Sequence, residues 1–160
     1  MRLTIISVGR AKRGPETELF DTYARRIDAA GRPTGLGPLK VAEVPQSRKG
    51  TAAQRKQQES EAILAKAGSG VQLMLLEETG SAKNSDGFAK LLANCRDQGA
   101  SEMIFAIGGP DGFSDVMRKR ADLRLALGPM TLSHGLARIV LAEQVYRALT
   151  ILSGHPYHRS

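Results

Sequence analysis

The chain has 160 residues, 41% of them hydrophobic, which is enough apolar material for a core and excludes a mostly disordered chain. No apolar run reaches the roughly 18–20 residues that a membrane span needs, and a single cysteine allows no internal disulfide, so the sequence predicts a cytoplasmic protein. A formal net charge of +7 favours a polyanionic partner, and the length predicts one domain over residues 1–160.

Five short apolar runs alternate with segments of helical periodicity. The runs predict strands over residues 3–8, 39–44, 71–76, 103–107 and 123–127. Helices are predicted between them: one from Pro15 to Gly31, one capped by Thr51 and running to about residue 67, one capped by Ser85, one capped by Ser114, and one over residues 135–153. This alternation predicts an α/β fold with a parallel or mostly parallel sheet and helices on both faces.

Three segments follow predicted strand ends, where such sheets bind ligands. They are residues 77–80, the glycine loop 108–112, and residues 127–132. The glycine loop matches neither the dinucleotide fingerprint nor a Walker loop, and a plain Gly-Pro turn explains it equally well. Because the three segments lack Lys and Arg, they favour an organic cofactor with an adenine-like part over a bare polyphosphate.

The last predicted helix is apolar over an arc of about 200°, whereas a surface helix needs only about 100°. Its polar stripe contains Glu143, Arg147 and Thr150, and the first two have the spacing of a local ion pair. The wide apolar face predicts contact with a second copy of the chain, with Val145 and Leu149 in the interface. A central helix buried within one subunit is the alternative.

Few residues are candidates for chemistry. Cys95 lies on an apolar helix face and is predicted to be a core residue. The three histidines lack the further ligands of a zinc set, so no metal site is predicted. The last residues, which include Tyr157, His158 and Arg159, are either a disordered stub or a clamp that folds over a substrate.

Three stretches resemble one known family. They are Ile107-Gly108-Gly109-Pro110-Asp111-Gly112, residues 132–148 (LSHGLARIVLAEQVYRA) and residues 155–159 (HPYHR). They are similar to the large-subunit ribosomal RNA pseudouridine-N3 methyltransferases of the SPOUT superfamily, the RlmH family. The resemblance covers essentially the whole chain and is most specific from Met103 onward.

The resemblance implies a C-terminal trefoil knot, a homodimer, and S-adenosylmethionine as the methyl donor, without a metal. It implies as substrate a pseudouridine in helix 69 of 23S rRNA, met on the assembled ribosome. The implied cofactor-binding residues are Leu76, Gly108, Leu127, Gly128, Pro129, Met130, Thr131 and Leu132. Leu76 ends the predicted strand before residues 77–80, and the others fall in the second and third of the three segments at predicted strand ends.

The acceptor in this reaction is an imide N–H, which must lose its proton during methyl transfer. The candidate catalytic residues are His158, Arg159, Tyr157, His134 and Arg147. We expect His158 to accept the proton and Arg159 to stabilise the anion. Candidate phosphate contacts are Arg48, Lys49 and Arg118-Lys119-Arg120. The alternatives are a ribosome-binding or assembly factor without catalysis, which would need no cofactor cleft, and a flavodoxin-like nucleotide enzyme.

Overall fold

The computed structural model describes residues 1–68 and 70–158, and they form a five-stranded sheet in which all neighbouring strands are parallel. The strand order is β2-β1-β4-β3-β5. The strands are β1 (Arg2–Val8), β2 (Leu39–Val44), β3 (Val71–Ala82), β4 (Glu102–Ile107) and β5 (Leu123–Ala126). The helices are α1 (Pro15–Thr34), α2 (Ala52–Leu64), α3 (Ser85–Asp97), α4 (Asp115–Arg120) and α5 (His134–Ser153). The predicted α/β class is confirmed.

Helices cover both faces of the sheet, as predicted. Successive strand residues point to opposite faces, so the central strands are apolar on both. On β4, Phe105 belongs to a cluster with α1, α3 and α5, whereas Ile104 belongs to a second cluster with Ile63 of α2 and Met117 of α4. All four side chains are fully buried or nearly so. The molecule is therefore a three-layer α/β/α structure.

Several helix ends differ from the predicted ones. Helix α1 passes Gly31 and ends at Thr34, where the left-handed backbone of the capping residue Gly35 (φ 68°) closes the last turn. Helix α2 ends at Leu64, earlier than expected. The cap of α3 is Asn84 rather than Ser85, because the Asn84 side chain accepts from the Gly87 N–H while the Ser85 hydroxyl donates to Gln144 of α5.

Strand β3 continues through residues 77–80, which the sequence predicts as a loop. Its register against β5 shifts, so that Leu76 and Ser81 both pair with Leu125 and the residues between them form a bulge. Gly80 lies close to β5, since a Cβ there would be 2.6 Å from the carbonyl carbon of Leu125. Residues 77–80 are mostly polar, which is typical of a turn. In the structure they lie in β3, and the backbone of β3 passes close to the edge strand β5 there.

Helix α5 packs between α1 and α3, and this explains most of its wide apolar face. Val145 and Leu149 are 0% exposed in the subunit core, so their predicted place in an interface between copies is wrong. The alternative, a helix buried within one subunit, accounts for them. None of the helices within residues 1–68 and 70–158 is long and apolar enough to cross a membrane.

Candidate active site

A cavity of about 780 Å³ opens at the carboxyl edge of the sheet. Its volume is in the range of small-molecule sites, roughly 300–1,000 Å³. All three segments predicted at strand ends contribute to its wall, and Gly9, Arg10, Gln46 and His134 complete it. Of the predicted cofactor residues, seven line the cavity: Leu76, Gly108, Leu127, Gly128, Met130, Thr131 and Leu132. Pro129 lies in the same segment but is exposed and is not part of the wall.

The glycine loop is shaped by its packing on the rest of the chain. A Cβ on Gly109 would lie 2.7 Å from the Glu59 carboxylate and 3.1 Å from Val8. A Cβ on Gly108 would lie 3.3 Å from the Phe113 ring. Gly112, with φ 77°, closes the turn by donating to the Gly109 carbonyl. These contacts lie within the protein, so the need for glycine here does not depend on a ligand.

Helix α2 holds the glycine loop, a role that the sequence did not suggest for a mostly polar helix. The Arg55 guanidinium donates to both oxygens of Asp111, at 2.7 and 3.0 Å, and keeps the pKa of that carboxyl below its ordinary value. Glu59 is 3% exposed, and its Oε1 accepts from the Ser47 N–H at 2.8 Å. Ser60 accepts from the Ser114 N–H. On α2, every fourth residue from Arg55 points the same way: Arg55, Glu59 and the buried Ile63. This spacing is the signal in the sequence that could have indicated a helix face turned toward the protein.

Where β3 lines the cavity, its carboxylates are bound to neighbouring side chains. Glu77, whose side chain is 9% exposed, receives Arg118 at 2.9 Å and Arg124 at 3.2 Å. The Thr131 hydroxyl donates to Glu78 at 2.5 Å, which ties segment 127–132 to β3. Arg118 is thus part of the cavity wall, and it is a poor candidate for the phosphate contact predicted for it.

His134 is the candidate catalytic residue that the structure places at the cavity. It is the first residue of α5, directly after the Ser133 cap. Burial and the nearby Arg138 guanidinium lower the pKa of its imidazole, so the ring is neutral at pH 7. Its Nε2 is buried and has no hydrogen-bond partner among the described residues. A neutral imidazole can accept a proton, although this nitrogen is closed to solvent in the described structure.

A buried arginine connects α5 to the ends of β1 and β2. Arg138 is 6% exposed, donates to Glu43 Oε1 at 3.1 Å, and lies 4.6 Å from the centre of the Phe20 ring. The same Glu43 oxygen accepts from the Ala11 N–H at 2.9 Å. The pairing spans 95 residues, which is why local sequence patterns did not reveal it.

The C-terminal tail is ordered against its own subunit up to His158. The Tyr157 hydroxyl donates to Glu143 at 3.1 Å, and its ring packs on Tyr146 at 4.7 Å and under Arg147 at 4.9 Å. Burial, with hydrogen bonds to Tyr23 and the Glu143 carboxylate, raises the pKa of the Tyr157 hydroxyl. Arg147 also pairs with Glu143, as its spacing predicted. The stub interpretation is wrong for these residues.

The tail lies far from the cavity of its own chain. Arg147 comes 13 residues after His134 on α5, which is about 20 Å at a rise of about 1.5 Å per residue. His158 lies beside Asp86 of α3, with Nε2 3.7 Å from the carboxylate. The structure therefore brings Tyr157, His158 and Arg147 together but separates them from His134. Arg159 lies outside the described residues.

The remaining candidate, Cys95, is a core residue as predicted. It is 8% exposed, and burial raises the pKa of its thiol, which disfavours the reactive thiolate. Among residues 1–68 and 70–158, no three His, Cys, Asp or Glu side chains converge as metal ligands would.

The chain belongs to the SPOUT methyltransferase family, because the family model described as "Predicted SPOUT methyltransferase" matches residues 1–158. Enzymes of this family take their methyl group from S-adenosylmethionine. The chain is similar to Ribosomal RNA large subunit methyltransferase H of Brucella anthropi, with 50% identity over 160 residues and full coverage of both chains. It is similar to the protein of that name from Rhizobium etli, with 49% identity over 159 residues and 99% coverage of each.

A solved structure supports the fold independently of close sequence similarity. A probable methyltransferase from Bordetella pertussis Tohama I superposes with a TM-score of 0.53 at 19% identity, covering 92% of this chain and 96% of that chain. The architecture described above is thus found elsewhere over nearly the whole chain length.

The cavity residues fit S-adenosylmethionine. Leu76, Leu127 and Leu132 provide apolar walls suited to an adenine ring. Gly108, Gly109 and Gly112 line the wall with backbone alone. The exposed Glu78 carboxylate adds negative charge, which suits a cationic sulfonium.

Proposed function

We propose that the protein methylates N3 of a pseudouridine in helix 69 of 23S rRNA, on the assembled ribosome in the cytoplasm, as one SPOUT domain. The observation that carries the proposal is the cavity that gathers the three strand-end segments and His134 at one edge of the sheet. The relatives named as large-subunit ribosomal RNA methyltransferases, at about half identity over the full chain, support the RNA substrate. The particular nucleotide follows from the family resemblance.

The chain's own residues have three tasks in this reaction. Bound S-adenosylmethionine supplies a methyl group activated by its sulfonium centre, so that the transfer requires no metal. The protein must exclude water, hold the acceptor nitrogen in line with the donor methyl, and accept the N3 proton. The apolar wall of the cavity serves the first two tasks, and a histidine imidazole serves the third.

A homodimer would bring the tail to a cavity. Within one chain the tail packs on residues 143–147 of α5, about 14–20 Å along the helix from His134, so His158 can act at the cavity only if a second copy places it there. Leu19 and Leu136, each 46% exposed, and Met130, 78% exposed, lie near the starts of α1 and α5 beside the cavity and offer apolar surface for that contact. We propose that the partner subunit's His158 accepts the proton and that the partner subunit's Arg159 stabilises the imide anion.

The trefoil knot of the C-terminal part belongs to the same proposal. Two close contacts, one between β3 and β5 and one between β3 and the segment after β5, support this proposal. Gly80 leaves no space for a side chain beside Leu125, and Thr131 is hydrogen-bonded to Glu78 in the β3 bulge. Both contacts tie β3 to the segment that follows β5.

The experiment is methyl transfer to ribosomes that lack the modification, followed by mass spectrometry of the nucleosides. We expect N3-methylpseudouridine with the wild-type protein and S-adenosylmethionine. Binding to ribosomes without any methyl transfer would contradict the proposed reaction and favour a ribosome-binding factor without catalysis.

The shared site has its own test in a heterodimer of two defective chains. One chain carries His158→Ala, the other carries Leu132→Arg, which fills the cavity from a partly exposed residue of its wall, and two affinity tags select the mixed species. One of its two sites then combines an intact cavity with an intact partner tail, so about half of the wild-type activity is expected. If tail and cavity act within one chain, the heterodimer has no complete site and stays inactive.

A further inference from the structure

Two loops beside the cavity carry exposed cations with no acidic partner. The loop after β1 supplies Arg10, Lys12 and Arg13, and the loop after β2 supplies Arg48 and Lys49. We name these five residues the basic rim. Within the part of the chain that the structure describes, none of them forms an ion pair, whereas Arg118 and Arg120 pair with Glu77 and Asp122. The basic rim therefore gathers five exposed cations, unpaired among the described residues, beside the cavity.

The two loops are neighbours at the carboxyl edge of the sheet. β1 and β2 pair in parallel up to Val8 and Val44, and the Gly9 N–H donates to the Val44 carbonyl at 2.8 Å. Arg10 and Gln46, one from each loop, line the cavity. The basic rim thus flanks the opening through which a substrate nucleotide would enter.

The loop after β2 is held in a fixed shape. Ser47 is nearly buried, its N–H donates to Glu59 at 2.8 Å, and its hydroxyl bonds Gln58 of α2 at 2.6 Å. The Arg55 guanidinium donates to the carbonyls of Lys49 and Gly50, both at 3.2 Å, while it also binds Asp111 of the glycine loop. A preorganised loop loses less conformational entropy when it binds a ligand than a mobile one would.

The acidic groups below the loops are already occupied. Glu43 is bound to Arg138 and to the Ala11 N–H, and Asp111 is bound to Arg55. Glu16, at the start of α1, lies against Gly135 of α5. Glu43 and Asp111 therefore neutralise Arg138 and Arg55 rather than the basic rim, and the outward charge of the rim remains positive.

We infer that the basic rim binds backbone phosphates of the RNA strand on either side of the target nucleotide. Arginine and lysine at fixed positions hold phosphates without reading sequence, and so set the register of the strand on the protein. The cavity then receives the one nucleotide that this register presents. The inference rests on the proposed function, because it assigns a surface to that RNA substrate.

The test is the salt dependence of binding to ribosomes, measured at fixed Mg²⁺ and varied KCl. The variant is Arg48→Gln/Lys49→Gln, and the matched control is Lys40→Gln/Lys66→Gln, which removes the same charge at the amino edge of the sheet. Each lost phosphate contact should flatten the slope of log K against log salt by about 0.7–0.9. We expect a loss of between one and two units for the variant and little change for the control.

Cofactor affinity by calorimetry separates the basic rim from the cavity. Arg48 and Lys49 are not part of the cavity wall, so the variant should bind S-adenosylmethionine as the wild type does. A slope altered no more than in the control would overturn the inference, even if the wild type methylates ribosomes. A third outcome is that the variant flattens the salt slope as expected while the wild type transfers no methyl group to ribosomes. That result would support the inference and refute the proposed reaction.

Discussion

At the residue scale, His134 is a histidine of the cavity wall whose surroundings set its protonation. Its ring is half-buried beside Arg138, a permanent cation only four residues further along α5. Both effects disfavour the imidazolium form. The sequence singled out this histidine through the family resemblance, but only the structure shows why it should be neutral.

His134 should titrate below the ordinary histidine value of about 6.5. Because its pKa is lower in the folded than in the unfolded state, its contribution to stability is present above about pH 6.5 and is lost as pH falls through the folded-state pKa. Histidine NMR of the wild type and of His134→Gln identifies the resonance and gives its midpoint, and urea unfolding at pH 7 and pH 5 gives the stability. A midpoint at or above that of histidine in the unfolded protein would contradict the prediction.

Gly109→Ala should destabilise the protein and weaken cofactor binding, because the added Cβ would meet the Glu59 carboxylate at 2.7 Å. Overpacking of this kind costs about 1–3 kcal/mol. Gly68→Ala is the matched control, since a Cβ there has no neighbour within 4 Å. Thermal unfolding with and without S-adenosylmethionine measures both effects. Equal melting temperatures for the two variants would show that the loop can move away from α2.

Sequence motifs revealed the residues that line the cavity but not those that support it. Gly108, the segment 127–132 and His134 follow from a motif and from strand ends. Arg55 and Asp111 are 56 residues apart, and Arg138 and Glu43 are 95 apart, so their pairing depends on which strands become neighbours. Local patterns predict elements, whereas strand order and register arise from packing of the whole chain.

At the element scale, α5 shows how one pattern can fit two structures. A wide apolar arc indicates that a helix contacts more than one surface, and either a second copy or neighbouring elements of the same chain can supply them. Here α1, α3 and the sheet cover the centre of the helix. The exposed apolar residue Leu136 is at its first turn, next to the cavity.

The variants Val145→Glu and Leu136→Glu should have different effects, because the first changes a buried residue of α5 and the second an exposed one. Val145 is 0% exposed, so a carboxylate there would be buried without a partner and should cost several kcal/mol of folding stability. Leu136 is 46% exposed, so its variant should fold with nearly wild-type stability but weaken the proposed dimer. Chemical denaturation and light scattering measure the two effects. A stable Val145→Glu protein that becomes monomeric would restore the interface that the sequence predicted.

At the scale of the whole molecule, the candidate catalytic residues are divided between two parts of one helix. The cavity and His134 lie at the start of α5, and the tail folds back on the middle of the helix through Glu143, Arg147 and Tyr157. A two-fold arrangement of chains can bring the end of one α5 to the start of the other, and it does so at two equivalent sites. The separation within one chain therefore favours a dimeric enzyme.

Deletion of residues 157–160 should abolish methyl transfer while leaving the fold and cofactor binding intact. The loss of the Tyr157 hydrogen bond and of its packing on Tyr146 should cost about 1–3 kcal/mol. General-base catalysis is worth about a hundred- to ten-thousandfold, so His158→Ala should lower turnover on ribosomes at least about a hundredfold.

Two comparisons make the deletion decisive. Raising the pH should partly rescue His158→Ala, because the imide then ionises without a base, whereas Tyr157→Phe keeps the ring packing and should remain largely active. Turnover is measured on ribosomes with each variant, and calorimetry gives its affinity for S-adenosylmethionine. A truncated protein that methylates at close to the wild-type rate would show that the tail only packs on α5. His134, which lines the cavity, would then become the candidate base within a single chain.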